Sequence, residues 1–537
     1  MIEETKIDDS KDDLDSSNDK KAIPDILVEL ASQKAKFFCN EIEEGFAAIE
    51  VDNHNEVIKL RSKKFNRWLI KLYFVLTSKS VSQDAIKQAI STLEMFANFS
   101  GNEKKLEKRV AISGDDFYYD LGDKKWRAVK ITKEGVTLEN KPPILFTRGA
   151  NMKEQVKPDL DVEVKELIEY VDKHFRFKTE SDKVLFIAYL VSCFVAGIPH
   201  PILLLYGEKG AAKSTTMRMI KSIVDPAKQE LFSLPTSKTD MALSLANNYM
   251  PIYDNIETIS SEKSNMLCMA ATGGAFSKRT LYTDEEESIV SFKRCVGFNG
   301  INIGATKSDL LDRCLLNELE RIDETERKTE KEVWSSFEKD KPKILGACLK
   351  ALSKAMKIYP TIKLDKLGRM ADFTIWGYAI AEAIDIGGEV FLEAYLENQD
   401  KTNEEAISSH PVASSLIALM KDKREWVGSV SQLLTQLELV ATREKINIKS
   451  KAFPKASHTL SKRLKEVKSN LEKVGIYFEI RHAGDYKKIT VENINLEDSE
   501  NNVNMIEKEK TRKEAAKRNQ IETEVEIDDF VRTDEDN

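Results

Sequence analysis

Leu203 to Met219 reads LLLYGEKGAAKSTTMRM, and its reading decides the fold. An apolar run ends at Tyr206, Gly207 and Gly210 open a tight turn, Lys213 and Ser214 follow, and a helical pattern begins. This is the order of a strand, a phosphate-cradling loop and a helix N-terminus. Glycines let backbone N–H groups approach phosphate oxygens, and the helix end adds positive potential. In Gly207-Glu208-Lys209-Gly210-Ala211-Ala212-Lys213-Ser214-Thr215, Lys213 can reach the β- and γ-phosphates of ATP and Ser214 can ligate Mg²⁺. Ala212 stands where the usual pattern has its last glycine. As the smallest replacement it predicts a surviving loop with a restricted φ.

The totals set the frame. At 537 residues the chain is long enough for about three domains. A hydrophobic share of 41% permits a large core, and a net charge of −8 argues against coating nucleic acid by bulk charge, leaving local basic patches. Six scattered cysteines with no C-x-x-C read as reduced, buried thiols, and the histidines show no zinc spacing. Met1 to Lys21 is acidic and polar, unlike a signal peptide, so a cytoplasmic location is expected. Val184 to Tyr206 has the length and apolarity of a membrane span. Gly197 and Pro199-His200-Pro201 break it, so a buried helix followed by a strand is expected instead, with no membrane partner.

Taken in order, residues 1–22 read as a disordered acidic tail. Residues 23–150 read as an α+β domain. It has a helix from Pro24 through Phe38, a hairpin of Phe46–Val51 and Glu56–Leu60, helices at Lys63–Thr77 and Ser82–Ala97, and short strands after Arg109. Arg61, Lys63, Lys64 and Arg67 beside Trp68 suit either nucleic acid or a solvated basic face. Residues 151–162 read as a polar linker, and its Asp159-Leu160-Asp161 lacks the preceding strand that a primase metal pair requires.

Residues 163–400 hold the remaining motifs of the core. Tyr249-Met250-Pro251-Ile252-Tyr253-Asp254-Asn255 is an apolar run ending in Asp, which fits the acidic motif holding Mg²⁺ through water in a P-loop ATPase. Asn255 stands where a water-polarising Glu is expected. Asn orients water but is a poor base, and Glu257 is two residues on. Lys278 and Arg279 precede a turn, a hairpin suited to gripping DNA phosphates. The strand through Cys295–Phe298 ends at Asn299, whose amide could sense the γ-phosphate. In Asp309-Leu310-Leu311-Asp312-Arg313, Arg313 is either an arginine finger reaching a neighbour's γ-phosphate or a partner of Asp309 or Asp312.

Residues 404–494 change character. Helices lead to Ser457–Val474, which carries Lys462, Arg463, Lys465 and Lys468. A hairpin of Ile476–Arg481 and Tyr486–Val491 follows. This is the pattern of a winged-helix domain, with Lys462, Arg463 and Lys465 placed to contact DNA phosphates. A winged helix that contacts protein fits as well. Residues 495–537 read as a disordered charged tail.

GEKGAAKS, IYDN, ATGGAFSKR, the strand ending in Asn299 and DLLDR, in this order, resemble the superfamily 3 helicase module of the AAA+ class. The likeness is to the helicase halves of phage, plasmid and integrated-element primase–helicases, relatives of the poxvirus type. It spans Glu163 to about Gly388, and more loosely both flanks. It implies an α/β fold with a P-loop AAA+ core, and a homo-oligomeric, hexameric ring with ATP and Mg²⁺ at subunit interfaces. Lys213, Ser214, Asp254, Asn299 and Arg313 take nucleotide roles, Lys278 and Arg279 a DNA-hairpin role, and Arg369 that of a second nucleotide sensor. The expected activity is an ATP-dependent DNA helicase or translocase in replication of a mobile element, with any primase or polymerase on a separate chain. An ATP-gated initiator or loader with little turnover is the second reading, favoured by Asn255. A small-molecule P-loop kinase is a third, disfavoured by the Asn299 strand, Arg313 and the wing.

Overall fold

A computed structural model describes residues 21–51, 54–99, 101, 103–279, 287–300, 308–450, 452–483 and 486–496, with backbone alone at 275–292 and 483. Most of both tails expected to be disordered, and the side chains of Lys278 and Arg279, lie outside the described residues. The chain divides into two compact units, Met1–Ile256 with Asn265–Ile301 and Leu315–Leu396, and Glu257–Ser264 with Asn302–Cys314 and Glu397–Asn537.

The first unit opens with α1 (Ile23–Lys34), β1 (Ala35–Cys39), β2 (Gly45–Val51), β3 (His54–Lys59), α2 (Lys63–Thr77) and α3 (Gln83–Phe99). The helix expected through Phe38 stops at Lys34. β-Branched and aromatic residues do not force this, but Phe37 and Phe38 pair with Ala47 and Phe46 of β2. Leu27, Ile49, Phe65, Leu69, Ile86 and Leu93 close a core of their own here. Next come β4 (Val110–Ser113), β5 (Asp116–Asp120), β6 (Ala128–Ile131) and β7 (Val136–Glu139), an antiparallel sheet in sequence order.

This sheet corrects the domain boundary expected at residue 150. Val110, Phe117, Tyr119, Val129 and Ile131 belong to the same core as the helices and strands that follow. Residues 151–162 are likewise a fitted strap and not a free linker. Gln155 is buried, its Nε2 donating to Tyr119 Oη at 2.8 Å and to the Ile223 carbonyl at 2.7 Å. Further along the strap, a Cβ on Gly346 would fall 1.7 Å from the Asp159 carbonyl oxygen, so only glycine permits this approach.

The rest of the unit begins with α4 (Glu166–His174), α5 (Glu180–Ser192), β8 (Ile202–Tyr206), α6 (Lys213–Val224), α7 (Lys238–Asn247) and β9 (Ile252–Tyr253). Then come α8 (Ser261–Thr272), the hairpin β10 (Gly274–Arg279) and β11 (Glu287–Phe292), and β12 (Gly297–Asn299). Of the elements that follow, α9 (Ser308–Leu311) belongs to the second unit, while β13 (Cys314–Glu318) from Leu315 on, α10 (Glu330–Ile358), α11 (Ala371–Ala383) and the start of α12 (Gly388–Ser409) belong to the first. The run that resembled a membrane span is α5 followed by β8, and among the described residues no helix is long and apolar enough to cross a membrane. The chain breaks between α11 and α12, where Asp385 and Gly387 take left-handed φ of 63° and 98°. The central sheet runs β13-β8-β12-β9, and β12 is parallel to both β8 and β9. A parallel sheet buried on both faces needs apolar strands, and Ile202 to Leu205 supply one.

The second unit holds α13 (Pro411–Met420), β14 (Glu425–Ser429), α14 (Val430–Arg443), α15 (Ser457–Glu466), α16 (Lys468–Lys473), β15 (Ile476–Ala483) and β16 (Tyr486–Asn493). β16 lies between β14 and β15, antiparallel to both. α12 ends and α13 begins at His410-Pro411, where proline occupies the first helical position. Leu416, Leu433, Leu437, Leu460, Leu464 and Ile489 form the core.

His410 caps α13, its Nδ1 accepting from the Ala413 N–H at 3.4 Å, while its Nε2 has no hydrogen-bond partner among the described residues. Burial first, then the charge of Arg463, pushes its pKa down to about 4. Below the ordinary imidazole pKa the unfolded chain binds a proton that the folded chain refuses, so stability falls as pH drops from 6.5 toward 4. We expect a loss of about 2 kcal/mol across that window, and a flatter profile for His410→Asn, which keeps a capping acceptor. Urea denaturation at stepped pH, read from Trp426 fluorescence, measures it.

Candidate nucleotide and nucleic-acid sites

The carboxyl ends of β8, β12 and β9 lie side by side, and ligands of open α/β sheets bind outside such ends. β8 feeds the loop 207–212, where Gly207, Gly210 and Ala212 have φ of 143°, 89° and 54°. Ala212 is therefore held in the left-handed region, a conformation that costs an L-residue roughly 1–2 kcal/mol. α6 then starts with no side-chain cap, whereas Thr179, Ser237, Thr329 and Ser429 cap α5, α7, α10 and α14. The first N–H groups of α6 thus face the loop without a side-chain acceptor.

Lys213 folds back on this loop, its Nζ donating to the carbonyls of Gly207 at 2.7 Å and Glu208 at 2.9 Å. Burial lowers its pKa. Ser214 Oγ donates to Asp254 Oδ1 at 2.8 Å. The same oxygen accepts from Asn299 Nδ2 at 2.6 Å, and Asn299 Oδ1 accepts from the Asn255 N–H at 2.8 Å. The Asn299 carbonyl also accepts from the Ile256 N–H at 2.9 Å. Asn299, 2% exposed, thereby binds the β9 end by side chain and backbone together. Asn255 has φ of 54° and is exposed, and asparagine is among the few non-glycine residues that tolerate this region. Its presence in place of Glu has a backbone reason.

Of the remaining loop residues, Glu208, Lys209 and Gly210 are exposed and Ala211 is buried, while Thr215 lies in the first turn of α6. The opposite end of α6 is locked by a buried ion cluster. Asp225 accepts from Arg109 Nε at 3.0 Å and Lys221 Nζ at 2.7 Å, and from the N–H groups of Tyr249 and Met250. Burial alone would raise the Asp225 carboxyl; Lys221 and Arg109 overcome it and hold the group far below the usual range.

The sequence reading missed the segment after β13. The Leu319 N–H donates to the Tyr206 carbonyl at 2.9 Å, and a Cβ on Gly207 would sit 2.6 Å from the Leu319 carbonyl oxygen. Arg321 Nη1 lies 3.6 Å from Glu208 Oε2, and a Cβ on Gly210 would lie 3.7 Å from Arg327 Nη2. No spacing rule signals this approach, because more than a hundred residues separate the two segments and only the place of β13 beside β8 joins them.

Arg313, in the second unit, donates to the Asp309 carbonyl at 2.6 Å and to Asp309 Oδ1 at 2.5 Å, the ion-pair alternative, while its Nε has no hydrogen-bond partner among the described residues. Arg369 is exposed. Lys278 and Arg279 lie at the end of β10, in register with Ser288 and Glu287 of β11. On α15, Lys462 and Lys465 are exposed, but Arg463 is half-buried and bonded to Glu466 at 2.7 Å. Helical geometry puts Lys462 and Lys465 on one face and turns Arg463 aside, which removes it from the expected basic trio.

Over these two stretches the chain is similar to replication proteins. Residues 168–405 match the family described as "Actinomycete integrative conjugative element replication protein". Residues 412–511 match the one described as "AICE RepA C-terminal domain". Among solved structures, an apo form of the NrS-1 C-terminal region is similar at 12% identity and a TM-score of 0.38, covering 88% of this chain and 100% of that one. A second apo structure of the region matches at 13% identity and 0.37, covering 88% and 99%. A likeness this distant says nothing of chemistry. No curated protein matches the chain.

The left-handed Ala212 yields a prediction. Ala212→Gly relieves the strain and should stabilise the first unit by about 1 kcal/mol, leaving ATP affinity within about threefold. Urea midpoints and equilibrium nucleotide binding check the two halves of this statement.

Proposed function

We propose that this chain is an ATP-dependent DNA translocase, a replicative helicase serving a mobile element, that works as a ring with ATP between subunits. The observation carrying this reading is the convergence of Lys213, Ser214, Asp254 and Asn299 at neighbouring strand ends, beside a helix start that lacks a side-chain cap. The replication-protein likeness of both stretches supports the biological setting.

In this reading the α6 N–H groups and the loop hold the phosphates, and Lys213 leaves its carbonyl partners for the β- and γ-phosphate oxygens. Ser214 and Asp254 would supply the hard oxygen donors suited to Mg²⁺. Bound there, Mg²⁺ would neutralise charge on the transferring phosphoryl group. Asn299 keeps the Asp254 carboxylate aimed and positions water near the γ-phosphate. Arg313 exchanges Asp309 for a neighbouring subunit's nucleotide. The β10–β11 hairpins grip one strand through Lys278 and Arg279, and the second unit, acting as a winged helix, holds duplex through Lys462 and Lys465.

Purified protein should hydrolyse ATP faster with single-stranded DNA and displace a strand from a forked duplex. Lys213→Ala should lower turnover at least about a hundredfold, since it removes charge stabilisation of the transition state. An oligomeric, ATP-hydrolysing protein that never separates strands, whichever tail is offered, contradicts the helicase claim. The exposed Asn255, with no general-base carboxylate in its place, favours one alternative, an ATP-gated initiator. That alternative predicts DNA binding tightened by ATP without strand displacement.

A further inference from the structure

The segment 319–329 runs beside the loop: a Cβ on Gly207 would sit 2.6 Å from the Leu319 carbonyl oxygen, Arg321 pairs with Glu208 at 3.6 Å, and a Cβ on Gly210 would lie 3.7 Å from Arg327 Nη2. Both ends of the segment are anchored. At the start, Leu319 and Glu320 donate to the carbonyls of Tyr206 and Arg176 at 2.9 and 3.0 Å. At the end, Thr329 caps α10 in a reciprocal box with Glu332. Between them Asp323 Oδ1 accepts from the Thr325 N–H at 2.9 Å, and Glu326 pairs with Arg176. The backbone carrying Arg327 is therefore held, while its side chain remains 49% exposed and its ion pair among the described residues is a loose 3.8 Å contact with Glu324.

We propose that Arg327 binds the nucleotide's polyphosphate from within the chain that supplies the loop, and that Arg321 offsets the Glu208 carboxylate beside it. This rests on the reading of residues 207–214 as a triphosphate site. The argument is electrostatic and geometric. A phosphate seated on this loop meets the loop's own carboxylate, Glu208, and Arg321 lies 3.6 Å from that group. Arg327 Nη2 lies across Gly210, where the missing side chain leaves the guanidinium an open line to an anion on the loop. A planar guanidinium gives phosphate oxygens two parallel donors, which lysine cannot do. The site then holds cations from three directions in one subunit: Lys213, the α6 N-terminus and Arg327. It does not depend on Arg369.

The test is equilibrium binding of a fluorescent ATP analogue with Mg²⁺ to the full chain, wild type against Arg327→Ala and Arg327→Lys. Inorganic tripolyphosphate serves as competitor, and unfolding midpoints are taken without nucleotide. Arg327→Ala should weaken both the analogue and tripolyphosphate by at least about tenfold with an unchanged midpoint, and Arg327→Lys should recover only part of the loss. A variant that binds both ligands as wild type does overturns the inference and leaves the triphosphate site standing. Loss of analogue binding with tripolyphosphate unaffected also overturns it. If wild type binds the analogue but Arg327→Ala lowers the midpoint and Arg327→Lys restores binding fully, the role is structural and the inference falls. Absence of any nucleotide binding by wild type overturns the triphosphate reading and this inference together.

Discussion

One buried amide holds the candidate site together. Asn299 ends the middle strand of three parallel neighbours, so its side chain can reach only across the strand end, where it meets Asp254 and the Asn255 backbone. A carboxylate at an exposed strand tip would otherwise sample several rotamers. Here one oxygen accepts from both Ser214 and Asn299, which ties the start of α6 to the tip of β9. Hydrogen bonds to a charged acceptor are among the stronger ones, and this pair fixes a direction as well as a distance.

The far end of α6 is fixed by different means. Asp225 sits between Arg109 and Lys221 and also accepts from the two N–H groups leading into β9. Because Arg109 immediately precedes β4, the sheet β4–β7 is part of the frame that aims the phosphate loop. Buried ion clusters are costly to desolvate and become strongly destabilising when one partner is lost, so their value lies in fixing geometry. Arg109 itself has φ of 57°, and its guanidinium also donates to the carbonyls of Asp120, Lys153 and Pro226, leaving few of its donors unmatched.

The core strand, the loop and the two polar strand ends were legible in the sequence because each obeys a local rule: an apolar run, glycines before Lys-Ser, and a polar residue closing an apolar run. The second unit was legible for the same reason, through helical periodicity followed by a hairpin. What escaped was non-local. The strands β4–β7 read as a separate domain because their alternation does not say which core receives their apolar face. The strap at 151–162 looked polar, yet Gln155 finds buried carbonyls. The break in the helix after Ala383 was marked only by Gly387-Gly388. Arg321 and Arg327 were invisible because their position depends on β13 lying beside β8, and Arg463 looked equivalent to its neighbours until the helix was given a buried side.

The central claim is that a triphosphate sits on the loop between β8 and α6. Titration calorimetry of the purified full chain with Mg-ATP tests it most directly. The account predicts saturable binding near one nucleotide per chain at submillimolar concentration. No heat of binding up to millimolar ATP, with the protein folded, would contradict it.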